Sequence, residues 1–160
     1  MKLEKYELDQ LDPFMYVFNS TGRQGRITML VAFTPLGEDI FNLGFGVWHK
    51  ESRYADDSVE TRNGDTDKIL GTVAQIALDF LNAHPNASIY ATGSCAKRTR
   101  KYQMGINKYM AELCERYVIK GLVTDKTRNN PLAIIYPKWH NNWQSLKSGV
   151  NYDAFLLSLK

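Results

Sequence analysis

The residues of this 160-residue chain best suited to chemistry lie together in Ala91-Thr92-Gly93-Ser94-Cys95-Ala96-Lys97-Arg98-Thr99-Arg100-Lys101-Tyr102. The segment reads as a strand end turning through Gly-Ser into a helix. A helix N-terminus already presents free N–H groups and about half a positive charge, so cations are unfavourable there and an anion is favoured. Lys97, Arg98, Arg100 and Lys101 occupy the first two turns. The pattern points to an anion cradle, for phosphate above all, in which backbone N–H groups and the Ser94 hydroxyl are flanked by arginines. The candidate anion-binding residues are Gly93, Ser94, Arg98, Thr99 and Arg100.

Helical spacing divides this charge. At about 100° per residue, Tyr102, Ile106, Tyr109, Leu113 and Tyr117 form one apolar side and Lys97, Lys101 and Lys108 lie nearly opposite, facing solvent. Arg98 falls about 60° from the centre of the apolar stripe, and Thr99 falls near that centre. Two readings of Arg98 follow: its stem covers core-edge surface while the guanidinium pairs with an N-terminal acid, or it binds a ligand. Farther along, Lys138, Trp139, Trp143 and Lys147 set aromatics beside cations, as single-stranded nucleic-acid binders do. With Lys97 and Lys101 they form a candidate nucleic-acid surface, although tryptophans that cap a core give the same composition.

Other catalytic patterns are absent. The chain has no Walker-type phosphate loop, Gly-x-Gly-x-x-Gly, Gly-x-Ser-x-Gly or His-Glu-x-x-His. Asp56, Asp57, Asp65 and Asp67 do not have EF-hand spacing, and helix capping accounts for Asp65 and Asp67, so neither a metal nor a cofactor is expected. His49, His84 and His140 are the available acid–base groups for a metal-independent ribonuclease beside Arg98. The expectation is a binder rather than an enzyme, with a protein partner of acidic surface, such as a regulator in the same bacterial operon, as the alternative.

The elements that must position these residues predict one α+β domain over residues 1–160. Phe14 to Asn19 and Arg26 to Thr34 read as a hairpin, Pro35-Leu36-Gly37 as a break, and Phe41 to Val47 as an alternating strand. A more polar strand over 53–62 would complete an antiparallel meander. Ile69, Val73, Ile76 and Phe80 define a helix capped by Asp65 or Thr66 and ended by His84-Pro85. Ala87 to Thr92 forms a buried strand, and a second helix spans residues 95–116. Val118 to Thr124 and Leu132 to Tyr136 form a C-terminal hairpin, and Tyr152, Phe155, Leu156 and Leu159 a short terminal helix.

Charge is polarised along this order. Residues 1–92 hold 8 Lys/Arg against 13 Asp/Glu, and residues 93–160 hold 12 against 4. A basic face that attracts a polyanion fits this asymmetry, as does an acidic half packed on a basic one. Two cysteines make no disulfide framework, and the N-terminus lacks a signal-like apolar run, which predicts a cytoplasmic protein that enters no membrane.

The segments Asn42-Leu43-Gly44-Phe45-Gly46, Asp56-Asp57, Asn63-Gly64-Asp65-Thr66-Asp67-Lys68-Ile69-Leu70-Gly71-Thr72-Val73-Ala74, Gly93 to Tyr102 and Asn151-Tyr152-Asp153-Ala154-Phe155 also carry a resemblance. In order and spacing they resemble a small bacterial family of unknown function with a Gly-Ser-Thr-x-x-Arg-Thr-Arg-Leu-Tyr signature. Cys95 stands in place of its Thr and Lys101 in place of its Leu, which leaves Ser94 and the backbone to supply anion ligands. The resemblance implies a compact cytoplasmic bacterial protein and carries over no catalytic residue.

Overall fold

Alternating apolar residues build the first strands. In the computed structural model, which describes residues 2–49, 55–56, 62–93, 95–123 and 143–160, four antiparallel strands follow one another. They are β1 (Leu8–Asp12), β2 (Met15–Gly22), β3 (Gly25–Gly37) and β4 (Ile40–Trp48). Tyr16 and Phe18 of β2 join Met29, Val31 and Phe33 of β3 on one buried face. Strand β3 runs on through Pro35, where a break was expected; the register shifts between Pro35 and Gly37, at the strand's end, where a missing N–H is tolerated. Glu38 and Asp39, at φ 51° and 61°, close the β3–β4 turn in the left-handed conformation that suits the twist of a two-residue hairpin. Of the polar strand expected over 53–62, the described part is β5 (Ala55–Asp56), antiparallel to β4.

Helix α1 (Thr66–Ala83) then crosses the sheet and returns the chain as β6 (Ser88–Ala91), parallel to β4. Its Ile69, Val73, Ile76 and Phe80 are buried, as their spacing requires. The Phe80 ring stacks on Phe33 at 4.0 Å and on His84 at 4.3 Å between centroids. His84 Nδ1 also lies 3.0 Å from the Phe80 carbonyl, so this histidine closes the helix end.

The rest of the chain is α2 (Ala96–Lys108), α3 (Met110–Arg116), β7 (Tyr117–Leu122), β8 (Gln144–Ser145) and β9 (Ala154–Leu159). The strands join one mostly antiparallel sheet in the order β1-β2-β3-β4-β6-β9-β7-β8, with β5 on β4. The fold is therefore α+β, with two further differences from expectation in its C-terminal half. The helix over 95–116 is broken at Tyr109, whose ψ of 13° ends α2 and starts α3. The terminal helix is instead β9, hydrogen-bonded to β6 on one side and β7 on the other. Ala154 and Leu156 pack on one face of the sheet and Leu157 and Leu159 on the other. A strand buried on both faces loses its alternation and reads like a helix. The second limb of the C-terminal hairpin, 132–136, lies outside the described residues.

Two cores result. The larger joins α1 to one sheet face. The smaller, with Ile40, Tyr90, Leu122, Trp143 and Ala154, covers part of the other.

Candidate functional site

Strand β6 ends at Ala91, and the next residues are fixed by hydrogen bonds. Thr92 Oγ1 donates to the Asp153 carbonyl at 2.6 Å, and the Gly93 N–H donates to Thr99 Oγ1 at 3.0 Å. The Thr99 hydroxyl in turn donates to the Cys95 carbonyl at 3.1 Å. Gly93 is required by close approach: a Cβ there would lie 2.5 Å from the Thr99 nitrogen and 2.8 Å from the Arg98 Cβ. Gly93 and Thr99 thus dock the first turn of α2 onto the strand end. Their hydrogen-bonding groups are already engaged with each other, so they shape the turn. Cys95 occupies the N-cap position with extended backbone and makes no side-chain cap, and the first turn contains no acid.

Arg98 and Arg100 are both half-buried. Among the described residues Arg98 has neither a hydrogen-bond nor an ion-pair partner, and the Nη1 of Arg100 is buried without a hydrogen-bond partner. No pairing of Arg98 with an N-terminal acid occurs among those residues. Lys97 and Lys101 are exposed, as their wheel positions predict. Ser94, Lys138 and Trp139 lie outside the described residues. Trp143 is 9% exposed, packs in the smaller core and meets Tyr90 edge-on at 6.0 Å. Lys147 is exposed.

Helix α2 sits at a rotation that its sequence does not announce. Its buried residues are Thr99 and Gln103. Gln103 Nε2 donates to the Val150 carbonyl at 2.6 Å, and its Oε1 accepts the Tyr152 N–H at 3.1 Å, which clamps the loop before β9. Tyr102, Ile106 and Tyr109 are half-buried instead, and line a cleft between α1 and α2. Gln103 is the residue that sequence reading missed. A polar residue on the inner arc of the wheel, one turn after Thr99, was the available signal.

The acidic segment before α1 has a structural use. Asn63 is buried; its Nδ2 donates to Ser20 Oγ at 3.0 Å and to the Gly25 carbonyl at 2.9 Å. Asp65 holds the N-cap position of α1 without a side-chain cap bond; its Oδ2 accepts from the hydroxyls of Tyr6 and Ser20, and its Oδ1 is buried with no hydrogen-bond partner among the described residues. The segment ties the β2–β3 hairpin and the N-terminal residues to α1. Among the described residues no group of three His, Cys, Asp or Glu is placed to hold a metal ion.

His84 is set apart from the Gly93 turn. His84 precedes β6 and Gly93 follows it, so the four residues of strand, about 13 Å at 3.3 Å per residue, separate them. His84 is packed against Phe80 and Phe14. His49 follows β4, and His140 lies outside the described residues. The most perturbed group nearby is Tyr90, whose phenol is pushed up to about 12 by burial and then by the Asp153 carboxylate. That keeps it neutral, a buried core residue rather than an acid–base group.

Cys95 and Cys114 are exposed and unbridged. No helix among the described residues is long and apolar enough to cross a membrane. No curated protein and no solved structure matches the chain. A family model does, over residues 2–160, so the region that carries the Gly93 turn, the three helices and the sheet belongs to DUF6934, a family of unknown function.

Proposed function

We propose that the protein is a non-enzymatic binder of a phosphate-bearing partner, nucleotide or nucleic acid, at the start of α2. One observation carries this reading: Arg100 Nη1 is buried with no hydrogen-bond partner among the described residues, in a helix start that bears four cations and no acid. A buried donor left unmet costs about 1–3 kcal/mol. A phosphate oxygen would meet it with a charge-assisted bond, and the N–H groups of the first turn favour the same ligand. Arg98 adds a second guanidinium, Ser94 a hydroxyl, and the exposed Lys97 and Lys101 extend the row of charge toward further phosphates. The basic excess after residue 92 would steer a polyanion to this end of the chain.

The test is binding of a labelled single-stranded oligonucleotide and of ATP. Arg98→Ala and Arg100→Ala should each abolish binding while melting temperature holds, and affinity for the oligonucleotide should fall steeply with salt. Affinity indifferent to both substitutions and to salt overturns the proposal. A pull-down that recovers one protein stoichiometrically after nuclease treatment would favour a regulatory protein partner for the basic helix instead. Cleavage of RNA that persists in chelator and is lost on substituting His49 or His140 would favour a ribonuclease.

A further inference from the structure

The apolar sides of α1 and α2 line one space. Between them opens a cleft of about 610 Å³, walled by Leu70, Val73 and Ala74 on α1 and by Tyr102 and Ile106 on α2. Its floor includes Phe45 of β4 and Ile89 of β6. Helix α2 keeps its apolar stripe half-buried: Tyr102 meets Phe45 at 5.8 Å between ring centroids and Ile106 and Tyr109 pack on the larger core, while Thr99 and Gln103 are the residues it buries.

Size selects among occupants. An α-helix is a cylinder about 10 Å across that rises 5.4 Å per turn, so this space would seat only about one and a half turns of a partner helix. Pockets for small ligands span about 300–1,000 Å³ and are mainly apolar with a few polar groups. The cleft is of that kind. Its charged lining residues are Lys2, Lys101 and Lys108 against Glu4 and Asp67, an excess of one cation that suits a monoanion. Helix α2 itself carries five cations and no acid. Lys101 has no ion-pair partner among the described residues, and it lines both the cleft and the adjoining polar hollow beside Asp65 and Thr66.

We propose that this cleft binds a single-chain fatty carboxylate, with the aliphatic chain between α1 and α2 and the carboxylate at Lys101. The site shares Lys101 with the row of charge beside the proposed phosphate site, but its apolar walls do not depend on that reading. The chain buries aliphatic surface at the ordinary hydrophobic gain per methylene. The carboxylate stays at the wet rim, where the ammonium offsets its charge.

Gly105 allows a clean test. It lines the cleft, and a Cβ there would meet nothing within 4 Å. Gly105→Trp adds a ring at the cleft wall from a Cβ that meets no atom, while Gly105→Ala adds only that Cβ, and both gain helix propensity. Calorimetric titration with dodecanoate below its micelle concentration should show one site per chain. Gly105→Trp should weaken it at least tenfold without lowering the melting temperature, and Gly105→Ala should stay within about twofold of the parent. Lys101→Met should weaken dodecanoate several-fold and leave dodecanol unchanged. The proposal is overturned by absent binding, by Gly105→Trp binding like the parent, or by dodecanol or dodecyltrimethylammonium binding more tightly than dodecanoate. It is equally overturned if sedimentation shows a dimer that Gly105→Trp dissociates, since a second copy would then occupy the cleft.

Discussion

Helix α1 seals Ile69, Val73, Ile76 and Phe80 at 6% exposure or less, whereas α2 buries Thr99 and Gln103 and leaves Tyr102 and Ile106 half-covered. The first helix is fixed by apolar area, which is non-directional and grows with contact. The second combines half-buried apolar packing with a few directional bonds at its start and middle. A helix held in the second way need not close on its neighbour, and room for a ligand follows from the mode of attachment. The difference also separates what substitutions should do in the two places.

The largest effect belongs to α1. Phe80→Ala removes a ring stacked on Phe33 and His84, and denaturant unfolding should show a loss of about 3–5 kcal/mol. A loss below about 1 kcal/mol would mean that the two helices are anchored alike.

The strand that joins them supplies the next effect. Tyr90 is held neutral with its phenol at about 12, above the ordinary value of 10.0. Its contribution is fully present below pH 10 and is lost as pH rises through 12. At about 1.4 kcal/mol per unit, the loss approaches ~3 kcal/mol. Tyr90→Phe should flatten the alkaline limb of a stability-against-pH curve. Some slope should remain, because burial and the nearby Asp79 and Asp12 also raise the Tyr16 phenol.

Gln103→Ala comes third. It strands the Tyr152 N–H and the Val150 carbonyl, at about 1–3 kcal/mol. Hydrogen exchange should speed up over α2 and residues 150–153 while α1 stays protected. Uniform loss of protection would erase the contrast. The smallest stability effect is that of Arg98→Ala, within about 0.5 kcal/mol by thermal melting, since no described residue pairs with it.

Legibility followed the strength of periodic signals. The β2–β3 hairpin, β4 and α1 were readable because one face of each is buried and the other is not. Strand β9 was not, because Phe155 to Leu159 are covered on both faces. The Gly93 turn was readable as a sharp strand-to-helix junction. Its internal bonds are not, since nothing local pairs the Gly93 N–H with the Thr99 hydroxyl six residues on. Trp143 could have met a base or the core by composition alone, and packing against Tyr90 decided it.

The amino-acid order by itself determined the α+β class, the apolar side of α1 and the acid-free, cation-rich start of α2. These are local properties, written in residue type and in periods of 2 and 3.6. Tertiary structure alone decided the rotation of α2, the opening of a cleft beside it and the isolation of His84 from Gly93. Each depends on which distant segments meet. Gln103 can clamp residues 150–152 only after β9 has inserted between β6 and β7, and no local pattern records that insertion.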